Sequence, residues 1–184
     1  MNYAPKQIAP STITALTLDE AKAHLRLDHD DENALIESLI KVAQAHLDGP
    51  DGVLSVVLTD SRWEESFKTN VGCECVSLYQ QPVRSIHSIT VDGAALSSES
   101  FSLRHERSGR AVVEFTTAQS GKIVVQYNAG YEDAASIPEP IKQAMRIHIS
   151  SLYELREMEA IGVMTSKLPH YDILIGPYKR RRIG

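Results

Sequence analysis

The sequence predicts an α+β fold in which a discontinuous antiparallel helical bundle forms the core, a small antiparallel β module is inserted, and both termini are extended. Three observations lead to this prediction. Apolar residues recur at helical spacing in the first third of the chain and again in the last third. Between these regions, short segments rich in β-branched residues alternate with turn residues. The two ends contain proline or basic residues without a helical period.

The stretch from Leu18 to Leu47 predicts two helices joined by an acidic turn. Thr17, with Glu20 three residues later, has the pattern of a capping box, in which a hydroxyl and a carboxylate satisfy free N–H groups at a helix start. In the second helix the apolar residues form one broad stripe, and acidic residues at 28–32 crowd its start, where the helix dipole favours negative charge. Such a stripe must be buried, so we expect another helix to pack on it.

A third helix is predicted to begin near Pro138 and Pro140, because proline is tolerated in the first turn of a helix. Its apolar residues recur at helical spacing to about Glu157. We expect it to pack on the second helix, so that the helical core is discontinuous in sequence. The predicted core residues of the two helices are Leu35, Ile36, Leu39, Ile40, Ile141, Met145 and Leu152.

The boundaries of the predicted regions follow from chain breakers and turns. Gly49 to Gly52 cannot continue a helix. Leu54 to Tyr127 predicts short strands separated by turns near Asn70 to Gly72, at Asp92-Gly93 and at Gln119 to Gly121. The predicted regions are an extended N-terminal arm at 1–15, a helical core at 16–49 and 128–175, an inserted β module at 50–127 and a basic C-terminal tail at 176–184.

Composition favours a protein partner over a nucleic acid. The formal net charge of the 184 residues is −5, and the basic run at 179–182 leaves an even more acidic remainder. Binding to phosphates requires an extended cationic face. No apolar run approaches the roughly 18 residues of a membrane helix, so we expect a soluble, intracellular protein with no membrane partner. Cys73 and Cys75 are expected to be reduced thiols.

No motif in the sequence predicts catalysis. The cluster of His24 and the acids at 28–32 matches neither HExxH nor a calcium loop, and helix capping explains its charges. The sequence contains no GxSxG, no phosphate-binding glycine loop and no CxxC pair. His46, His148 and His170 are expected to be separate core or surface residues. We therefore expect no catalytic, cofactor-binding or metal-binding residues.

Two other functional classes stay open at this point. The first two helices could form the helix-turn-helix of a DNA-binding regulator, although an acidic turn would face the phosphates. The His/Asp/Glu cluster could instead belong to a metal-dependent hydrolase.

Three segments resemble one known family. ALTLDEAKAHLRLDHDDENALIESLIKVAQAHLDG is similar to the opening of the head–tail connector, or head-completion adaptor, proteins of tailed double-stranded DNA phages, prophages and gene transfer agents. VQYNAGYEDAASIPEPIKQAMRIHISSLYELRE resembles the family's "AGY…P.PI..A" helix entry, and LPHYDILIGPYKRRRI resembles its "LP…LL.PYR" closing segment. Between them, PVRSIHSITVDG is similar to the β region of the longer members. The terminal basic run is heavier than the family pattern.

The resemblance implies a structural virion protein without a cofactor. Such a protein forms a homo-oligomeric ring, a dodecamer in the particle, beneath the portal protein. The ring extends the DNA channel, lets genomic DNA pass without sequence-specific binding, and docks a stopper or tail-completion protein. We expect this chain at the head–tail interface of the virion, and in the host cytoplasm during assembly. The residues expected to dock on the portal are Tyr178, Lys179, Arg180, Arg181 and Arg182.

Overall fold

The structure, a computed structural model, describes residues 4–107, 109–158 and 169–180. The chain divides into two compact units: a sheet unit of Met1–Thr12 and Thr59–Glu132, and a helical unit of Ile13–Leu58 and Asp133–Gly184. The strands are β1 Lys6–Ala9, β2 Ser61–Ser77, β3 Val83–Val91, β4 Ala94–Ala95, β5 Phe101–His105 and β6 Ala111–Ala129. The helices are α1 Leu18–Leu25, α2 Asn33–Leu47, α3 Glu139–Met158 and α4 Pro169–Ile175, with single 3₁₀ turns at Ser98–Ser100 and Gly176–Tyr178.

The sheet unit is built on two long antiparallel strands, β2 of 17 residues and β6 of 19 residues. The strand order is β1-β2-β6-β3-β4, and β5 pairs with a different part of β6. Side chains alternate between buried and partly exposed where the strands are covered: Trp63 and Glu65 on β2, and Ile123, Val125 and Tyr127 on β6, all point inward. These buried side chains form the core of the unit.

The buried carboxyl group of Glu65 is hydrogen-bonded by neighbours within the sheet unit. It accepts hydrogen bonds from the hydroxyl of Tyr127 and from the backbone N–H groups of Tyr79 and Gln80, the last two at 2.8 and 3.3 Å. A buried carboxyl group is tolerated only with such hydrogen-bond partners. The contacts of Glu65 therefore join the turn after β2 to the C-terminal end of β6.

The prediction of a helical bundle core with a small β insertion is wrong. The structure is mixed α+β, but its sheet is extensive and two of its helices have only eight and seven residues. The turn residues at Asn70–Gly72 and Gln119–Gly121 predicted chain reversals, whereas β2 and β6 continue through them with register shifts. Cross-strand pairing thus overrides the local turn preference, because each irregular residue is absorbed as a bulge.

Gly121 shows why a turn residue is needed inside β6. Its φ is +105°, and a Cβ at this position would lie 2.1 Å from the carboxylate of Asp92. That carboxylate accepts a hydrogen bond from the N–H of Lys122 at 2.7 Å. Glycine here permits both the left-handed backbone and the close approach of Asp92.

The predicted N-terminal arm contributes β1 to the edge of the sheet unit. Lys6 pairs with Glu64 and Gln7 with Trp63, and all four side chains of β1 are exposed. The segment from Leu54 to Thr59, which the sequence predicts as a strand, makes only isolated bridges in the described residues.

The helical unit begins with the predicted capping box, which is confirmed. The Thr17 hydroxyl accepts a hydrogen bond from the N–H of Glu20 at 3.2 Å, and the Glu20 carboxylate accepts one from the N–H of Thr17 at 2.8 Å. α1 ends at Arg26, whose φ is +60°. At α2, by contrast, Glu32 occupies the N-cap position without a side-chain capping bond.

In this unit α2 packs on α3, α1 contacts both, and α4 contacts α3. Of the seven predicted core residues, four are buried: Ile36, Ile40, Ile141 and Met145. The remaining three are half-buried: Leu35, Leu39 and Leu152. The contacts among these seven side chains stay a prediction. No helix in the described part of the chain is long and apolar enough to cross a membrane.

Candidate functional site

The acidic joint between α1 and α2 is held by ordinary ion pairs. Lys22 Nζ lies 2.6 Å from Asp30 Oδ1, which also accepts a hydrogen bond from Asn33 Nδ2 at 3.2 Å. The hydrogen bond from Lys22 is the main reason that the pKa of Asp30 is lowered. His29 and Asp31 approach to 3.7 Å on the surface. Among residues 4–107, 109–158 and 169–180, no group of three or more His, Cys, Asp or Glu side chains is placed to hold a metal ion.

A second ionic cluster joins α1 to α3. Glu20 Oε1 lies 3.4 Å from Arg146 and 3.6 Å from Lys142, and Arg146 also pairs with Glu139. The pKa of Glu20 is lowered, first by the backbone hydrogen bond from Thr17 and further by the two cations, against the opposing effect of burial. The ionised carboxylate of the capping box therefore also ties α1 to α3.

The C-terminal segment, defined as residues 176–180, is anchored on the helical unit. Ile175, which precedes it, is fully buried. Lys179 Nζ lies 3.2 Å from Asp172 Oδ1, and the backbone N–H of Arg180 donates a hydrogen bond to the carbonyl of Leu54 at 2.9 Å. Tyr178 is half-buried. Of the predicted docking residues, Tyr178, Lys179 and Arg180 are thus fixed in place, whereas Arg181 and Arg182 lie outside the described residues.

Three helices of the same unit converge on a pocket, which we call the imidazole pocket. It has a volume of about 170 Å³ and is lined by His46 of α2, His148 and Ser151 of α3, and Tyr171 of α4. The ring centroids of His46 and His148 lie 4.6 Å apart at an interplanar angle of 82°. Tyr171 lies 6.3 Å from His46 and 5.9 Å from His148 by the same measure.

The surroundings of the imidazole pocket favour the neutral forms of Tyr171 and His148. Burial, and secondarily the neighbouring charge of Asp172, raises the pKa of Tyr171 to about 12. Burial, followed by the nearby His46, lowers the pKa of His148. The Tyr171 hydroxyl is buried and has no hydrogen-bond partner among the described residues. The sequence predicts His46, His148 and His170 as separate residues, and only the fold brings the first two together. His170 is exposed on α4.

In the sheet unit, Arg84 forms ion pairs with residues near both ends of the segment Thr59–Glu132. Its guanidinium lies 3.1 Å from Asp60 and 3.1 Å from Glu132.

Farther along β2, both cysteines are free thiols, and Val71 is 78% exposed. The reduced state expected for both thiols stays a prediction.

The sequence model of the head completion protein family (HCP) matches residues 14–160, which include the helix pair, the sheet and most of α3. The chain belongs to this family. The prediction of a head–tail connector is therefore confirmed: this head completion protein is a structural adaptor of the virion at the head–tail interface of a phage-like particle. The matched residues end before α4, so the C-terminal segment and Tyr171 lie beyond them.

Solved structures contain chains with the same fold. One belongs to the neck of an empty gene transfer agent (GTA) particle computed with C6 symmetry; another belongs to the virion of a native GTA particle. Each of these two has a TM-score of 0.77 and 18% identity. A third, in the neck of a native GTA particle computed with C12 symmetry, has a TM-score of 0.69 and 15% identity. Every alignment covers 98% of this chain and 97% of the other chain. No curated protein sequence matches this head completion protein.

Proposed function

We propose that copies of this protein assemble into a ring of twelve beneath the portal protein, where the ring extends the DNA channel and docks a stopper or tail-completion protein. The observation that carries the proposal is the family match over residues 14–160. The fold it shares with chains from GTA necks computed with C6 and C12 symmetry supports a closed rotational assembly. A ring of twelve is compatible with both symmetries.

The basic C-terminal residues are our candidate for contact with the portal. Lys179 is already paired with Asp172, and the backbone of Arg180 is bound to Leu54. These two anchors bring the chain to a defined place on the helical unit immediately before Arg181 and Arg182. Guanidinium groups form bidentate hydrogen bonds with carboxylates, so an acidic portal surface is the partner that suits this pair.

The protein acts by docking, without catalysis, and genomic DNA passes it without sequence-specific binding. The net charge of −5 does not favour attraction to phosphates. The joint between α1 and α2 exposes Asp28, Asp30 and Asp31, a surface that phosphates would avoid in a helix-turn-helix. This observation disfavours a DNA-binding regulator. A hydrolase built on the same acids is disfavoured because Asp30 is engaged by Lys22 and Asn33.

Cross-linking of assembled particles, followed by mass measurement, tests the ring. We expect ladders of like subunits that end at twelve, together with cross-links to the portal. Particles that carry only one or two copies would refute the ring, whereas a complete ring without portal cross-links would refute only the assigned docking partner.

A further inference from the structure

The loop that follows α2, residues 49–58, receives the C-terminal segment, and we call it the seat loop. The backbone N–H of Arg180 donates a hydrogen bond to the carbonyl of Leu54, in the middle of this loop, at 2.9 Å. Leu54 is fully buried, so its carbonyl belongs to a fixed part of the helical unit. The place at which the chain continues to Arg181 and Arg182 therefore depends on the conformation of the seat loop.

Backbone hydrogen bonds fold the seat loop against the end of α2. The N–H of Gly49 donates to the carbonyl of Val56 at 2.7 Å, across the loop. The N–H of Val53 donates to the carbonyl of His46 at 2.9 Å, which satisfies one of the carbonyls that a helix end leaves free. The loop is thus a compact structure attached to the helix.

The peptide bond between Leu54 and Ser55 sets the direction of the accepting carbonyl. The N–H of Ser55 donates to the carbonyl of Gly52 at 3.0 Å, within the loop. In a trans peptide the N–H and C=O groups point in opposite directions, so the Leu54 carbonyl points away from this bond and towards Arg180. Ser55 has a φ of +53°, a conformation that residues other than glycine adopt only where the surrounding structure imposes it. The direction of the carbonyl therefore holds only while the loop keeps its fold.

Asp48 supplies a side-chain contact that closes the seat loop. Its Oδ1 accepts a hydrogen bond from the N–H of Leu58, the last residue of the loop, at 2.8 Å. The side chain of Gln44 also hydrogen-bonds this carboxyl group. Burial raises the pKa of Asp48, and the hydrogen bond from Leu58 opposes that effect. Leu58 is fully buried, so without Asp48 its N–H would be left buried without this acceptor.

We propose that Asp48 is a positioning residue for portal docking: its carboxyl group holds the seat loop, the loop holds Arg180, and the next two arginines are thereby presented at a fixed place. A segment that is fixed before it binds loses less conformational freedom on docking. The inference rests on the proposed function in naming the portal as the partner. The hydrogen bonds that carry it all lie within the helical unit of one chain.

Hydrogen exchange of single amides, followed by NMR on the full-length protein, tests whether Asp48 holds the segment. In Asp48→Ala the N–H of Arg180 should exchange at least about tenfold faster than in the parent, because the buried N–H of Leu58 loses its acceptor and the loop opens more often. Asp48→Asn keeps an oxygen that can accept this hydrogen bond, and it should restore most of the protection. The matched control is Ile36→Ala, which removes a buried side chain about three turns earlier on α2. It should leave the exchange of Arg180 close to that of the parent, because an amide near a chain end exchanges by local opening.

A head-completion assay tests whether the position of the segment matters for docking. At a temperature where both variants are folded, Asp48→Ala should join DNA-filled heads at least about tenfold less efficiently than the parent. Ile36→Ala should join them normally, although it is also destabilised. A role of Asp48 in stability alone would not separate these two variants.

Arg180→Pro is a second variant, and it leaves the buried core untouched. It removes the N–H that Leu54 accepts, and the φ of −66° and ψ of 120° at Lys179 are compatible with a proline that follows. Arg180→Ala removes the same side chain but keeps the N–H. We expect Arg180→Pro to complete fewer heads than Arg180→Ala, and the difference measures the contribution of the backbone bond.

Several results would overturn the positioning role of Asp48. These are unchanged exchange of Arg180 in Asp48→Ala, normal head completion by that variant, equal completion by the two variants of Arg180, and an equal loss in Ile36→Ala. Failure of the proposed function has a different signature. In that case a variant with glutamine at positions 181 and 182 completes heads normally, whereas the faster exchange of Arg180 in Asp48→Ala is still observed.

Discussion

The packing of α2 in the helical unit leads to a quantitative prediction. Ile36 is fully buried, whereas Leu39 is only half-buried and Val42 is 48% exposed. Truncation of a fully buried isoleucine to alanine costs about 2–5 kcal/mol, because transfer energy is lost and a cavity remains. We therefore expect this cost for Ile36→Ala. Leu39→Ala should cost less, because part of that side chain is already in water.

Urea unfolding followed by far-ultraviolet circular dichroism measures these costs. With a typical slope of about 1–3 kcal/mol per molar, Ile36→Ala should lower the midpoint by about 0.7 M or more. Val42→Ala is the matched control on the same helix, and it should change the free energy of unfolding by no more than about 0.5 kcal/mol. The slope should stay constant across the series, so that midpoints can be compared.

Two results would refute this reasoning. Ile36→Ala could unfold at the same urea concentration as the parent, or Val42→Ala could be as destabilised as Ile36→Ala. Either result would mean that the buried stripe of α2 does not lie where the structure places it. An ordering of Ile36→Ala, Leu39→Ala and Val42→Ala from most to least destabilised would support the packing.

The remaining predictions concern the C-terminal residues and the acidic side of the fold. Deletion of Arg181–Gly184 should leave the melting temperature unchanged, because the described anchors up to residue 180 remain, but it should abolish joining to DNA-filled heads in a completion assay. The double variant with glutamine at positions 181 and 182 should behave like the deletion, and the double variant with lysine there should retain partial activity. Normal head completion by the glutamine variant would rule out charge-based docking. Because the pKa of Glu20 is lowered in the folded state, its contribution to stability is complete above its ordinary value of 4.5 and is lost as the pH falls through the lowered value. Melting temperatures measured from neutral pH downward should therefore fall less steeply for Glu20→Gln than for the parent. The control variant Glu37→Gln, which changes an exposed residue, should follow the parent. Identical slopes for all three proteins would contradict the role of Glu20.

The sequence alone predicts a structural feature correctly where that feature depends on residues close together in the chain. The capping box of Thr17 and Glu20 is such a case, because all its hydrogen bonds form within four residues. The family motifs are another, since they identified a head–tail connector before the sheet was known. The turn residues led to a wrong prediction of the sheet, because a glycine such as Gly121 is compatible with a β-bulge as well as with a chain reversal.

The imidazole pocket could not have been predicted in the same way. His46 and His148 are separated by about a hundred residues, and only the packing of three helices places them 4.6 Å apart. Nothing near His46 in the sequence differs from an ordinary helix end. The anchoring of the C-terminal segment was hidden for the same reason, because the bond from Arg180 to Leu54 connects remote parts of the chain.

The central claim is that the protein forms a ring at the head–tail junction. The most direct measurement is a reconstruction of the particle neck by electron cryomicroscopy, made without imposed symmetry. The account predicts twelve copies of this fold in a closed ring immediately beneath the portal, with the density after Arg180 directed towards the portal. A neck that contains one or two copies of the fold, or a ring elsewhere in the particle, would contradict it.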